Sequence, residues 1–375
     1  MKRFSGRAFP GSVTAGYLML FAVVVTGCTA EADDEPSNTA RQTVIVVVGA
    51  EGMPDYGQQF RRWAERWKDA AERGSAACTL IGLKDNVIGK AAHVSSSPGQ
   101  KSAEHVPAAA TASTGNSEAS IPDLELLQRA VQEAGQRATS EPLWLVLIGH
   151  GTFDTRSAGF SLRGPDLTAD QLREWCDGVQ RPVHLIDCSS CSGPFLNALS
   201  GENRIVITAT KDGQQVQFSR FGDAMSQAIA GLEADIDRDG QTSLLEAWLF
   251  AARRTADFYV GEGRLATEHS LLDDNGDRQG TRAEKFAGIS AQENAAKAPG
   301  IDGAVAGRRH LVRSQEESAL TPEQREIRDQ FEARLAELRD RSAELEEAEY
   351  LRQLEQILLP LARLYESLTP PAVPD

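Results

Sequence analysis

Four short apolar runs constrain this chain more than anything else in it. They are Thr43–Val48, Leu143–Ile148, 183–186 and Arg204–Thr208, dominated by Val, Ile and Leu. Each is bounded by glycine or polar residues, and amphipathic stretches lie between them. Continuous apolar runs of this length are strands buried on both faces, as in a parallel sheet. Strands separated by helical patterns form successive right-handed crossovers. The expectation is therefore an α/β fold around a mostly parallel sheet. A shorter run at 78–81 supplies another strand. Tyr56, Phe60, Trp63 and Trp67 recur at helical spacing, which predicts an aromatic stripe packed on the sheet. A second helix is expected over 122–137, with Leu124, Leu126, Leu127 and Val131 on its apolar side. Thr168 and Gln171 form a capping box for a third.

In such a sheet the reacting groups gather beyond the carboxyl ends of the strands. Two of the strands end in residues suited to chemistry. The run at 143–148 leads into Gly149-His150-Gly151. The run at 183–186 leads into Asp187-Cys188-Ser189-Ser190-Cys191-Ser192-Gly193. A histidine facing a thiol or hydroxyl is the arrangement of a nucleophile and its base. Other readings of the turn are Cys-x-x-Cys redox chemistry and a plain Cys188–Cys191 disulfide.

Strand–His–Gly, followed some forty residues on by strand–Asp-x-Cys-x-Ser-Gly, resembles the caspase–legumain class of cysteine peptidases. The resemblance spans roughly residues 43–264, and these two motifs carry it. It implies a caspase-like three-layer sandwich and a peptide or protein as substrate or ligand. His150 would be the base, and the loops holding Arg156, Arg163 and Asp166 would border the cleft. Counted back from Ser192-Gly193, the nucleophile of the class falls on Ser190, with Cys188 and Cys191 on either side. Cys188, Ser190 and Cys191 are all carried forward as candidates. Two functions follow: a cysteine-peptidase-like enzyme, or a catalytically inactive binding module.

Asp235-Ile236-Asp237-Arg238-Asp239-Gly240-Gln241-Thr242-Ser243-Leu244-Leu245-Glu246 fits the twelve-residue EF-hand loop. Asp235, Asp237 and Asp239 stand at its odd positions, and Gly240 stands where the chain must turn sharply. Gln241 would offer its carbonyl, Ser243 a hydroxyl and Glu246 a bidentate carboxylate. All-oxygen ligands with this much charge select calcium. Helices are expected to flank the loop, so that the EF-hand spans 222–259. Asp273-Asp274-Asn275-Gly276-Asp277 repeats the opening Asp-x-Asn-x-Asp, with Arg278 in place of the glycine. It is either a second, degenerate calcium turn or an acidic loop.

The N-terminus has Lys2, Arg3 and Arg7, then an apolar stretch at 15–25, then Val25-Thr26-Gly27-Cys28. This is the pattern of a signal peptide over 1–27. The last four residues resemble the bacterial lipobox, which implies acylation at Cys28 and anchoring in the cell-envelope membrane, facing the periplasm or the exterior. Residues 28–42 read as a polar tether and 43–312 as the main domain. Thr321-Pro322-Glu323-Gln324 starts the first helix of a hairpin over 313–368. A net charge of −15 excludes a nucleic-acid partner, which demands a basic face.

Overall fold

A computed structural model of the chain describes residues 41–83, 121–292 and 301–366. The signal peptide, Cys28, the tether before Arg41 and the Ser/Ala-rich stretch at 94–120 lie outside the described residues. The fold is mixed α/β. Its centre is a six-stranded sheet of β1 (Thr43–Val48), β2 (Ala77–Ile81), β3 (Leu143–Ile148), β7 (Val183–Asp187), β8 (Arg204–Thr208) and β9 (Leu271–Asp273). The spatial order is β2-β1-β3-β7-β8-β9. All pairings are parallel except the last, where β9 runs antiparallel to β8.

Successive side chains of a strand point to opposite faces, so each apolar run feeds two cores. Val44, Val46, Val48, Trp144, Val146 and Ile148 face one layer of helices, with Phe60, Trp63 and Trp67 of α1 (Pro54–Arg73). The same core takes in α5 (Phe221–Ala230) and α6 (Leu244–Gly261). Ile45, Val47, Leu143, Leu145 and Leu147 face the other layer: α2 (Asp123–Gly135), α3 (Ala169–Asp177) and α4 (Gly193–Leu199). The result is three layers with the sheet in the middle. The aromatic stripe of α1 is core, as its spacing predicts, and the Thr168–Gln171 capping box forms.

Several features escape the sequence patterns, the antiparallel edge strand β9 and helix α4 among them. Between His150 and α3 the chain builds a small antiparallel sheet of β4 (Gly151–Phe153), β5 (Ala158–Phe160) and β6 (Leu167–Thr168). A hairpin, β10 (Phe286–Ala287) and β11 (Ser290–Ala291), follows the acidic loop. Gln42, assigned to the tether, is instead buried. Its amide donates to the carbonyls of His310 and Leu311, and its Oε1 accepts the Trp144 indole N–H at 2.7 Å.

Beyond the main domain come α7 (Gln315–Ala319), α8 (Pro322–Asp340) and α9 (Glu347–Glu366). Thr321 and Gln324 form the expected capping box. Helices α8 and α9 pack together, and charge ties the first of them to the domain. Buried Glu141 pairs with Arg313 and Arg325, and Arg309 pairs with Asp329. The hairpin thus folds back on its own chain. No described helix is long and apolar enough to cross a membrane.

Candidate functional site

The carboxyl ends of β1, β3, β7 and β8 form one rim, and both motifs stand on it. His150 follows β3, and the Cys/Ser turn follows β7, its immediate neighbour in the sheet. The two segments touch through backbone and hydroxyl. The Gly151 N–H donates to Ser190 Oγ at 3.1 Å, and the Ser190 hydroxyl donates to the Gly151 carbonyl at 3.3 Å. This approach requires a glycine, because a Cβ on residue 151 would lie 2.1 Å from the Ser190 carbonyl oxygen. The glycine after the histidine is therefore what lets the two strand ends meet.

The imidazole of His150 sits among aromatic rings. Tyr56 and Phe60 meet it edge-on at 5.3 Å, and Phe218 lies at 6.1 Å while stacking on Tyr56 at 4.3 Å. Its Nε2 lies 3.3 Å from the Glu51 carbonyl oxygen. A carbonyl only accepts, so this bond assigns the proton of a neutral ring to Nε2 and leaves Nδ1 as the basic lone pair.

The three nucleophile candidates fall into different environments. Cys188 is wholly buried in the core against α1 and α5; a Cβ on Gly222 would strike its Cβ. Burial, then the charge of Asp187, pushes its thiol well above the usual range. Cys191 is also buried, and burial followed by the Asp187 charge raises its thiol too. Its backbone is left-handed, with φ 55°, and its N–H donates to the Gln215 carbonyl at 3.0 Å. Both thiols are free, so neither the disulfide nor a Cys-x-x-Cys redox couple in oxidised form is present. Neither environment favours a thiolate, which is the reactive form. Ser190 is the candidate in contact with the histidine's own segment.

Beneath the turn lies Asp187, fully buried. Its Oδ1 accepts the Ser189 N–H at 2.9 Å and the Ser189 hydroxyl at 2.6 Å, while Oδ2 has no hydrogen-bond partner. Burial raises this carboxyl from 3.8 to about 6. Between about pH 4 and 6 the folded state therefore keeps a proton that the unfolded chain has released, and stability falls as pH rises through that window. Asp187→Asn is expected to remove this slope. The difference between variant and wild type should shift by about 2–3 kcal/mol in the variant's favour from pH 4 to pH 8. Urea denaturation at the two pH values measures it; an unchanged difference would contradict the assignment.

The cleft-bordering residues implied by the resemblance divide. Arg156 is exposed. Arg163 bonds the Val48 and Gly82 carbonyls at the ends of β1 and β2, with Asp123 at 3.8 Å, so it staples strand ends. Asp166 accepts the Leu162 N–H. Sequence patterns missed the stretch 209–220, which brings Gln215 and Phe218 over the site. It has no periodicity, and only the fold reveals its role.

The EF-hand candidate lies between α5 and α6, whose outer limits fall within two residues of the expected 222 and 259. One carboxylate oxygen from each of Asp235, Asp237 and Asp239 lies within 4.8 Å of the others. Gly240 has φ +85°. Glu246, buried, accepts the N–H groups of Ile236 and Asp237 on one oxygen, and the N–H and hydroxyl of Ser243 on the other. Partial desolvation, then the charges of Glu246, Asp239 and Asp235, raises the Asp237 carboxyl. The Gln241 side chain is engaged: its Oε1 accepts the Ser314 N–H at 3.0 Å and its amide donates to Asp239 Oδ2 at 3.0 Å. Three clustered carboxylates of this kind could hold a metal ion, and hard oxygen ligands suit a hard divalent one. No protein-family model matches the chain, and no curated protein matches it.

Proposed function

We propose that the protein is a calcium-braced, lipid-anchored member of the caspase–legumain structural class whose cleft binds a peptide or protein segment without thiol catalysis. The observation that carries this reading is Ser190. The residue in contact with the His-Gly segment is a serine, and the two thiols beside it are buried with raised pKa values. A mostly parallel sheet between two helical layers, with a histidine and a Ser-Gly turn on adjacent strand ends, supports the class. The cluster of Asp235, Asp237 and Asp239 supports a bound cation, read here as calcium acting as a brace; its ligands belong to the loop between α5 and α6, not to the rim. Calcium there would neutralise a cluster of like charges and tie two packed helices together.

An irreversible peptide-based thiol inhibitor, tested with and without calcium, examines the reading. The expected result is no labelling of the wild-type chain in either condition. Labelling of Cys191 that Cys191→Ala and His150→Ala both abolish would replace this proposal with an active cysteine peptidase.

A further inference from the structure

The acidic loop after β9 reproduces the backbone of the calcium loop position by position. In the first loop, counted from Asp235, the fourth and sixth residues are left-handed: Arg238 at φ 63° and Gly240 at φ 85°. Counted from Asp273, the fourth and sixth are Gly276 at φ 78° and Arg278 at φ 65°. Arg278 thus takes the conformation for which its non-glycine identity argued against a calcium turn. The side-chain bonds repeat as well. The fifth N–H donates to the third side chain in both: Asp239 to Asp237, and Asp277 to Asn275. The seventh donates to the fifth in both: Gln241 to Asp239, and Gln279 to Asp277.

The closing carboxylate is the telling part. In the first loop Glu246 holds the N–H of the second residue on one oxygen, and the N–H and hydroxyl of the ninth on the other. In the second loop the residue at the twelfth position is Glu284, which is exposed and bonded to Arg282. Buried Asp302 does the work instead. One of its oxygens accepts the N–H of Asp274, the second residue, at 2.9 Å. The other accepts the N–H of Thr281, the ninth, at 3.2 Å and its hydroxyl at 2.6 Å. A carboxylate from a distant segment thus occupies the closing place.

One observation independent of loop shape points to a ligand. Asp273, the first residue, is fully buried; its Oδ1 accepts the Gly276 N–H within the turn, and its Oδ2 has no hydrogen-bond partner. A buried carboxylate oxygen without a partner carries a large desolvation cost that a cation removes. We propose that this loop is a second calcium site, formed by Asp273, Asn275, Asp277 and the Gln279 carbonyl, and closed by Asp302.

The site anchors the end of the edge strand. Asp274 caps the following segment by accepting the N–H groups of Gly303, Val305 and Ala306. An ion here would fasten β9 to the 302–308 turn. This stands apart from the cleft reading and adds a second ion to the calcium reading.

The test is the number of calcium ions bound by the full chain, measured by titration calorimetry and equilibrium dialysis with calcium chloride. Two per chain are expected. Exposed Asp277→Ala, and the near-isosteric Asp273→Asn, should each leave one. The double variant Asp235→Asn with Asp239→Asn should leave the other. Two ions retained by both Asp277→Ala and Asp273→Asn, or a single ion that only the first-loop variant removes, would overturn this proposal. A single ion removed by Asp277→Ala and kept by the first-loop variant would uphold it and overturn the first calcium site. No bound calcium would overturn both.

Discussion

Replacing Ser190 by cysteine is expected to create the thiol chemistry that the wild-type chain lacks. The new sulfur would stand where the Ser190 hydroxyl now meets the backbone of Gly151, the residue after His150, whose Nε2 proton is held by the Glu51 carbonyl. A thiol near a basic imidazole gains thiolate at neutral pH, with its pKa lowered from about 8.5. Alkylation by iodoacetamide at pH 7 should therefore be at least about tenfold faster at residue 190 than at Cys188 or Cys191. A small electrophile is the right probe, because Ser190 is only 3% exposed. Adding His150→Ala should return the rate to that of an ordinary buried thiol. Equal rates with and without His150 would show that the two strand ends do not form a functional pair.

Glu246→Ala is expected to be the most destabilising single change in the 235–246 loop, even in calcium-free buffer. It removes the acceptor for the N–H groups of Ile236, Asp237 and Ser243 and for the Ser243 hydroxyl. It also ends the capping box of α6, which packs on α5 in the core. Unsatisfied buried donors cost about 1–3 kcal/mol each, and those near solvent regain part of this from water. A total of about 3 kcal/mol is expected by denaturant unfolding. Calcium at a hundredfold excess over its Kd should stabilise the wild type by a further 2.7 kcal/mol or so and the variant far less, widening the gap. A gap that calcium leaves unchanged would mean that Glu246 serves the helix cap alone.

The strands and the aromatic helix were legible because burial on both faces leaves an unmistakable mark in a sequence. Thr43–Val48 and Leu143–Ile148 have no polar interruption, and both are strands with those limits. The clustering of Asp235, Asp237 and Asp239 was legible for a different reason: they alternate within one short loop, so spacing alone brings their carboxylates together. The small sheet after His150 was not legible. Its strands are two or three residues long, too short for any period to show. Among Cys188, Ser190 and Cys191 the count from Ser192-Gly193 pointed to Ser190, but the sequence did not give their surroundings, since one step along a turn changes which way a side chain points. Cys188 goes into the core, and Ser190 goes to Gly151.

What the sequence determined by itself was local: which runs bury both faces, which helices carry caps, and which carboxylates share one loop. Each follows from interactions between residues a few positions apart. What the tertiary structure alone decided was every partnership between distant segments. Glu51 orients His150 across 99 positions, and Asp302 closes a loop whose ninth residue lies 21 positions earlier. Such contacts are set by how the layers pack, which no short window of sequence records.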